Sequence, residues 1–278
     1  MYYVLYNPMS NKGLSNKEVE KLVNQLKKED EVIMVNILEI HGSQKEFISK
    51  VKYDEKVVIC GGDGTVNRFL NSLIDFEFDC RLFVFQCGSG NDLAREFDKQ
   101  KMFEITDLVH RLPHAIINGD KKIVFINGIG MGFDAVVCAK KEEAYKNNIK
   151  KGYTTIVMET FKEYEKYSVD LEIDGKDYHF DDVWCFVVNH GKYFGGGMKI
   201  TPKADRYDDL LDFCIVHDLS KAKFLTLFPT IFMGTHIKHE EFVTYIQCKN
   251  LKVKKIGADI LQSDGEVSYN VKSLEVSV

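Results

Sequence analysis

No apolar run in the 278 residues approaches the roughly 20 needed to span a bilayer. The opening MYYVLYNP also lacks the basic lead and small-residue cleavage site of a secretory signal. Both absences lead to the expectation of a cytoplasmic protein. There is no surplus of positive charge either: 37 Lys and Arg face 42 Asp and Glu, for a net charge of -5. That balance excludes a general nucleic-acid binder, and a hydrophobic content of 45% excludes a disordered tail. The seven cysteines, Cys60, Cys80, Cys87, Cys138, Cys185, Cys214 and Cys248, are odd in number and never spaced as CxxC. Reduced core thiols are therefore expected in place of a disulfide framework or a zinc site. No repeat, low-complexity tract or Pro-rich linker separates parts of the chain. The length suggests about two domains of roughly 150 residues each, and a close-packed pair would place a ligand cleft between them.

What is present begins with a recurring unit. Residues 2–6 (YYVLY) form a short apolar run, and Ser15 with Glu18 reads as a capping box ahead of Val19, Leu22, Val23 and Leu26 at helical spacing. Residues 31–38 are strand-like, and Ser43 with Glu46 opens a second capped helix bearing Phe47, Ile48 and Val51. A third round runs from strand 56–60 (KVVIC) through a glycine-rich loop into a helix with Val66, Phe69, Leu70 and Leu73. The fourth runs from 82–86 (LFVFQ) through 87–92 (CGSGND) into a helix beginning near Leu93. Strands that are apolar without alternation, separated by helices, predict a parallel sheet covered on both faces.

Beyond about residue 112 the pattern changes to short alternating strands with turns at Gly119-Asp120 and Asp174-Gly175. Segments 114–128, 168–189, 211–217 and 242–278 read as strands, and 133–145, 153–167 and 220–233 as helices. The expected domains are an α/β unit over 1–112 and a mainly β unit over 113–278, with the last residues open to returning to the first.

Chemistry concentrates in the loops. Gly61, Gly62, Asp63, Gly64, Thr65, Val66 and Asn67 lie between an apolar strand and an amphipathic helix. In an open α/β sheet, loops at the carboxyl ends of strands line the ligand crevice. Glycines there let backbone N–H groups close on a phosphate beside a helix N-terminus. A carboxylate in such a cradle makes sense if magnesium bridges it to a nucleotide or if it takes a proton from an attacking hydroxyl. Alone, the run could equally be a strand-to-helix turn with a capping Asp. A second loop, Gly88, Ser89, Gly90, Asn91 and Asp92, follows the next strand in the same register and makes a shared rim the better reading. Neither loop ends as a Walker A loop does, and neither is GxGxxG. A third element, Asn7, Pro8, Met9, Ser10, Asn11, Lys12 and Gly13, follows the first strand with amides, a hydroxyl and a cation.

Those three elements, in that order, resemble the diacylglycerol kinase catalytic-domain family, the lipid kinases that include sphingosine kinases. The likeness continues through Asn127-Gly128, Gly132 to Ala135, Gly195 to Met198, Pro202 to Ala204, and Asp264-Gly265-Glu266. It implies a nucleotide-binding α/β domain followed by a β-sandwich domain, and ATP-dependent phosphorylation of a lipid hydroxyl, with diacylglycerol giving phosphatidic acid as the expected case. By the same resemblance Asn7, Pro8, Ser10, Lys12, Gly61, Gly62, Asp63, Gly64, Thr65, Asn67, Ser89 and Asp92 hold the nucleotide, Asp63 and Asp92 organising magnesium and phosphates. Asp264 is the first choice for general base, followed by Glu266 and Asp63. The segment 205–212 (DRYDDLLD) resembles a structural magnesium loop, with Asp208 as the side-chain ligand and carbonyls from Asp205 and Leu210. Three residues depart from the family pattern: Asp209 stands where many members have Gly, although Asp tolerates the left-handed region, Arg68 where they often have Glu, and Ser89, which keeps the hydroxyl, where Thr is commoner. The expected cofactors are ATP and Mg2+. The expected partners are a lipid substrate and peripheral contact with a membrane, with a homodimer open. An NAD kinase, which shares Gly-Gly-Asp-Gly-Thr, and a non-catalytic nucleotide sensor or membrane adaptor are the competing readings.

Other features have plainer readings. His236 and His239 lack the intervening Glu of a zinc helix and suggest a structural or surface role. Phe224, Leu225, Leu227, Phe228, Ile231, Phe232 and Met233 are apolar around much of a helix broken by Pro229, which suggests core, with a wall for acyl chains as the functional alternative. Lysines 249, 252, 254 and 255, and 146, 150 and 151, form clusters that read first as solvated faces, with anionic lipid, which would attract them by about 1 kcal/mol per charge close to the surface, as the alternative.

Overall fold

The structure is a computed structural model describing residues 1–8, 14–88, 90–98 and 100–278, with the side chains of 14–16 left aside. It divides into two units, Met1–Leu112 and Pro113–Val278. No helix among the described residues is long and apolar enough to cross a membrane.

In the first unit, β1 (Tyr2–Tyr6), α1 (Leu14–Leu26), β2 (Val32–Asn36), α2 (Gln44–Ser49), β3 (Lys56–Gly61), α3 (Asp63–Ser72), β4 (Arg81–Gln86), β5 (Met102–Glu104) and α4 (Thr106–Val109) follow in order. The sheet runs β2-β1-β3-β4-β5. Its first four strands are parallel, with Tyr2 beside both Val32 and Lys56, and Lys56 beside Arg81. Consecutive residues Val57, Val58 and Ile59 are all fully buried, as strands covered on both faces require. On one face Val19, Leu22, Val23 and Leu26 of α1 meet Val4, Val58 and Cys60. The fourth round departs from the expected helix: Leu93–Glu96 is a single 3-10 turn. Asp98 takes a φ of +47°, which stops the helix, and Phe97 stacks on Phe103 at 4.3 Å. The chain thus turns back, and β5 runs antiparallel to β4. The expected capping boxes also differ. α1 already includes Ser15, whose side chain lies outside the described residues. The Ser43 hydroxyl donates to Ile40 O, and Glu46 pairs with Lys50.

The second unit comprises β6 (His114–Ile117), β7 (Lys121–Val124), β8 (Gly128–Gly132), α5 (Phe133–Lys146), α6 (Tyr153–Glu163), β9 (Tyr167–Ile173), β10 (Lys176–Val183), β11 (Cys185–Asn189) and β12 (Leu211–Val216). It continues with α7 (Lys221–Phe232), β13 (Val243–Cys248), β14 (Asn250–Ile256), β15 (Leu261–Ser263), β16 (Glu266–Ser268) and β17 (Leu274–Ser277). Two six-stranded sheets result, β10-β9-β14-β17-β6-β7 and β13-β12-β11-β8-β15-β16. Three hairpins turn on paired positive φ values: Asn118 and Gly119, Asp174 and Gly175, Asp264 and Gly265. The first sits one residue earlier than expected, because Asn enters the left-handed region readily. α6 also stops before the expected 167, releasing Tyr167 to start β9. The chain's end does not return to the first unit: β17 pairs with β14 on one side and β6 on the other. An aromatic stack of Phe161, Trp184 and Phe224 fills the space beneath α6 and α7.

Candidate functional site

In the first unit the two glycine loops leave the carboxyl ends of the neighbouring strands β3 and β4. A Cβ on Gly62 would stand 2.4 Å from Gly90 O, and one on Gly88 would stand 2.3 Å from Gly62 N. Backbone meets backbone at both points, so no side chain can yield to make room. Hydrogen bonds complete the interlock, with Asp63 N donating to Gly90 O at 3.0 Å and Cys87 N to Gly61 O at 3.2 Å. Asp63 closes it as a clasp: Oδ2 accepts from Asp92 N at 2.7 Å and Oδ1 from Leu93 N at 3.2 Å. The carboxylate thus serves first to bind one loop to the other, a role that its motif does not display. Gly64 and Thr65 form the first turn of α3, whose N–H groups make this rim suited to an anion. Asn67 is buried, and its Oδ1 accepts from Asn71 Nδ2 at 3.1 Å. Asp92 is 4% exposed, with Arg95 Nε 3.3 Å from its Oδ1. Asn7 and Pro8 follow β1, half-buried. Ser10, Lys12 and Ser89 lie outside the described residues.

Below the loops, Cys60 and Cys87 are buried. Burial, then the neighbouring Cys87, drives the Cys60 thiol well above its ordinary range. All seven cysteines are free thiols.

In the second unit, Asp264 occupies the β15–β16 turn at a φ of +47°. Its carboxylate accepts three backbone N–H groups, from Ile126 at 2.7 Å, Asn127 at 2.8 Å and Gly128 at 3.1 Å. The next residue, Gly265, donates to Gln262 Oε1 at 3.1 Å, and Gln262 Nε2 donates to Asp134 Oδ2 at 3.1 Å. Burial pushes the Asp134 carboxyl up to about 6. Arg206, 3% exposed, approaches from the other side: its guanidinium donates to Ile126 O and, at 2.8 Å, to Asn127 Oδ1. His190 N donates to Asn127 O at 2.9 Å, while burial and then Arg206 bring its ring down to about 3. A carboxylate held this firmly can present one geometry to a reactant. Glu266, exposed, opens the adjoining β16.

Arg206, His190 and Gln262 were not among the residues singled out from the sequence. For Arg206 a signal existed, a single cation inside the acidic run 205–212. For the other two there was none, since Asn127 and Asp134, the partners that tie them into this nest, lie far from them along the chain.

Asp208 Oδ1 accepts from Leu210 N at 3.0 Å, and Asp205 Oδ1 from Tyr207 N at 3.1 Å. Asp209, in the place of the family's Gly, takes the left-handed φ of +54°. Burial, and then the charges of Asp205 and Asp209, hold the Asp208 carboxyl above its usual range. Among the described residues no three His, Cys, Asp or Glu side chains gather as a metal site. An ion here would lean on one carboxylate, main-chain oxygens and water, a donor set that suits a hard cation such as magnesium.

His236 is fully buried, its Nε2 donating to Ile200 O at 2.9 Å, and burial lowers the ring to about 4. His239 is exposed, so the pair does not form a metal site. α7 continues through Pro229 to Phe232, where the sequence suggested a break.

Residues 1–121 match the family model of the diacylglycerol kinase catalytic domain, and residues 127–276 match that of the YegS C-terminal NAD kinase beta sandwich-like domain. A protein named diacylglycerol kinase from Mycobacterium tuberculosis (strain ATCC 25618 / H37Rv) is 27% identical over 295 residues, covering 98% of this chain and 93% of its own length. One named "Probable lipid kinase YegS-like" from Klebsiella pneumoniae (strain 342) is 25% identical, covering 79% of this chain and 76% of its own. A crystal structure described as a diacylglycerol kinase from Bacillus anthracis str. Sterne superposes with a TM-score of 0.66 at 18% identity, covering 99% of this chain and 93% of that one. This last likeness concerns the fold.

Proposed function

The chain belongs to the family of diacylglycerol kinases and YegS-like lipid kinases, and from that premise we propose that it transfers the γ-phosphoryl group of ATP to the free hydroxyl of diacylglycerol, giving phosphatidic acid. The observation that carries this reading is the clasped pair of glycine loops at the ends of β3 and β4, which sets backbone N–H groups at a helix start where phosphates are bound. In the reaction the lipid hydroxyl oxygen forms a bond to the γ-phosphorus. The bond from that phosphorus to the bridging oxygen breaks, ADP leaves, and the hydroxyl proton passes to a carboxylate.

The nucleotide contacts fall to Asn7, Pro8, Ser10, Lys12, Gly61, Gly62, Gly64, Thr65, Asn67, Ser89 and Asp92, with Asp63 holding the two glycine loops in one arrangement. Asp264 is the proposed base, because three amides fix its carboxylate in place. Glu266 is second. Phosphoryl transfer needs positioned charge more than covalent chemistry, so amides and carboxylates suffice for the protein's part. Asp208, with the carbonyls of Asp205 and Leu210, is the proposed seat of a structural magnesium ion. Magnesium accompanying ATP would supply charge neutralisation at the phosphates.

A second reading, phosphorylation of the NAD ribose, draws on the NAD kinase-like sandwich that the C-terminal family model describes. Both are tested by incubating the protein with ATP labelled at the γ-phosphate, detergent-dispersed diacylglycerol and sphingosine, and NAD, then separating products by chromatography. Label in phosphatidic acid is expected. Label in the dinucleotide, or in no lipid, would overturn the reading.

A further inference from the structure

Helix α7 has apolar residues on two faces, and only one of them is used in the core. Phe224, Leu227 and Ile231, spaced i, i+3 and i+7, are buried, and Phe224 stacks on Trp184 with 4.0 Å between ring centroids. That row anchors the helix. On the adjoining face Leu225, Phe232 and Met233, just past the helix end, are 48%, 50% and 67% exposed. The half-buried Phe228 meets Phe232 edge to face at 5.9 Å. From 224 to 235 the chain contains no Asp, Glu, Lys, Arg or His. The charged side that a water-facing helix normally presents is therefore missing here, and the hydroxyls of Thr226 and Thr230 turn back onto the helix's own carbonyls. Single exposed apolar residues are ordinary on a protein surface, whereas a contiguous set points to an interaction.

The surroundings say what kind of surface would cover it. Lys221 and Lys223 open the helix, and Lys238 follows in the turn His236–Lys238. The Lys221 ammonium donates to Lys162 O at 2.7 Å, and that of Lys223 sits 4.3 Å from the centre of the Phe242 ring. Among the described residues, none of the three is ion-paired with a carboxylate. The exposed Glu240 and Glu241 come after Lys238, so the cationic rim is strongest at the helix's N-terminal end. A chain with a net charge of -5 thus frames its most apolar helix face with uncompensated lysines. Two copies of this face brought together by a two-fold axis would set like charges beside one another. An anionic interface would satisfy both the lysines and the apolar row.

We propose that this face of α7 docks on an anionic lipid surface, with Phe232, Met233 and Leu225 entering the acyl boundary and Lys221 and Lys223 meeting the headgroup phosphates. The proposal rests on the lipid kinase reading for its purpose, since that reading places the substrate in a bilayer, but its test needs no catalysis.

The full chain is sedimented with phosphatidylcholine vesicles prepared with and without phosphatidylglycerol, in the absence of ATP and diacylglycerol. The wild type is expected to pellet with the anionic vesicles and to be released by salt. A Phe232→Ser, Met233→Ser variant alters only exposed side chains, so its melting temperature should match the wild type while vesicle binding falls by about tenfold or more. A Lys221→Glu, Lys223→Glu variant should lose the preference for phosphatidylglycerol. Turnover on water-soluble, short-chain diacylglycerol should be the same in all three proteins. Unchanged sedimentation of the double-serine variant, or a wild type that stays in the supernatant, would overturn the docking. So would a wild-type dimer that the serine variant converts to monomer, because the face would then belong to a second copy. Mutation-sensitive vesicle binding by a protein that phosphorylates no lipid would remove the diacylglycerol reading and leave the docking in place.

Discussion

The glycine loops of the first unit and the polar nest around Asp264 in the second achieve rigidity by opposite means. In the loops, rigidity comes from missing side chains: Gly62 and Gly88 let two stretches of main chain touch, and the Asp63 carboxylate binds the amides of Asp92 and Leu93. In the nest it comes from side chains that reach far along the sequence. Asp264 and Arg206 grip the same short stretch, one taking N–H groups of Ile126, Asn127 and Gly128 and the other the Ile126 carbonyl and the Asn127 side chain. Opposite charges thereby face each other across a peptide, and each compensates the burial of the other. The first device leaves amides at a helix start, an arrangement that suits an anion. The second holds a charged group of the protein's own.

Replacing Asp264 with Asn should have the largest effect. Turnover should fall by about a thousandfold, as loss of a positioned proton acceptor implies, while ATP affinity measured by calorimetry stays within about twofold. Full turnover in this variant would hand the base to Glu266 or Asp63. Next comes Arg206→Met, which strips the donors from Ile126 O and Asn127 Oδ1 and should cost about 3 kcal/mol in urea unfolding. Its turnover should drop about tenfold with the KM for ATP unchanged, and Arg206→Lys should restore part of it. Equal losses in KM and turnover would show that the residue supports the fold without positioning Asp264.

Gly62→Ala should cost about 2 kcal/mol and weaken ATP binding by about tenfold, because the new methyl has only backbone to displace. Gly90→Ala is the control: its Cβ would meet Asp63 Oδ2 at 3.4 Å, an ordinary contact, so it should bind ATP nearly as well as the wild type. Two equally damaged proteins would show that the interlock is not what the loops depend on.

The smallest effect is a slope. His236 is held neutral in the folded state at a value of about 4, below the 6.5 of the unfolded chain. Its contribution is therefore complete above 6.5 and is lost as pH falls from there toward 4, and His190, at about 3, acts in the same direction. Asp134 and Asp212, both raised by burial to about 6 from 3.8, act oppositely: their contribution is complete below 3.8 and is lost as pH rises through 6. A variant comparison isolates one group. The melting temperature of the wild type should decline more steeply below pH 6.5 than that of His236→Gln, by the equivalent of about 1 kcal/mol per pH unit. Parallel curves would mean that His236 is protonated in the folded protein.

How much of this could be read from the sequence follows from the same division. The loops were legible because their glycines are contiguous and follow apolar strands, so local spacing carries the geometry. The α/β and mainly β halves were legible for the same reason, as was the turn at Asp174-Gly175. The helix expected after Leu93 was not, because a left-handed Asp98 and a Phe97–Phe103 stack override the local helical pattern. The clasp formed by Asp63 was hidden by its own motif, since an Asp among glycines suggests a ligand for metal as readily as one for amides. The partners of Asp264 were hidden by distance, 136 to 138 residues along the chain.

The contact between Gly62 and Gly88 also bears on how this site can be rebuilt or exchanged. Each loop supplies the wall against which the other is shaped, so neither is a module. A chimera that takes the first loop from one relative and the second from another inherits two surfaces never fitted to each other, even when every glycine is retained. The part that can be transplanted is β3, the first turn of α3, β4 and the turn through Leu93 together, with Asp63 travelling as its fastener.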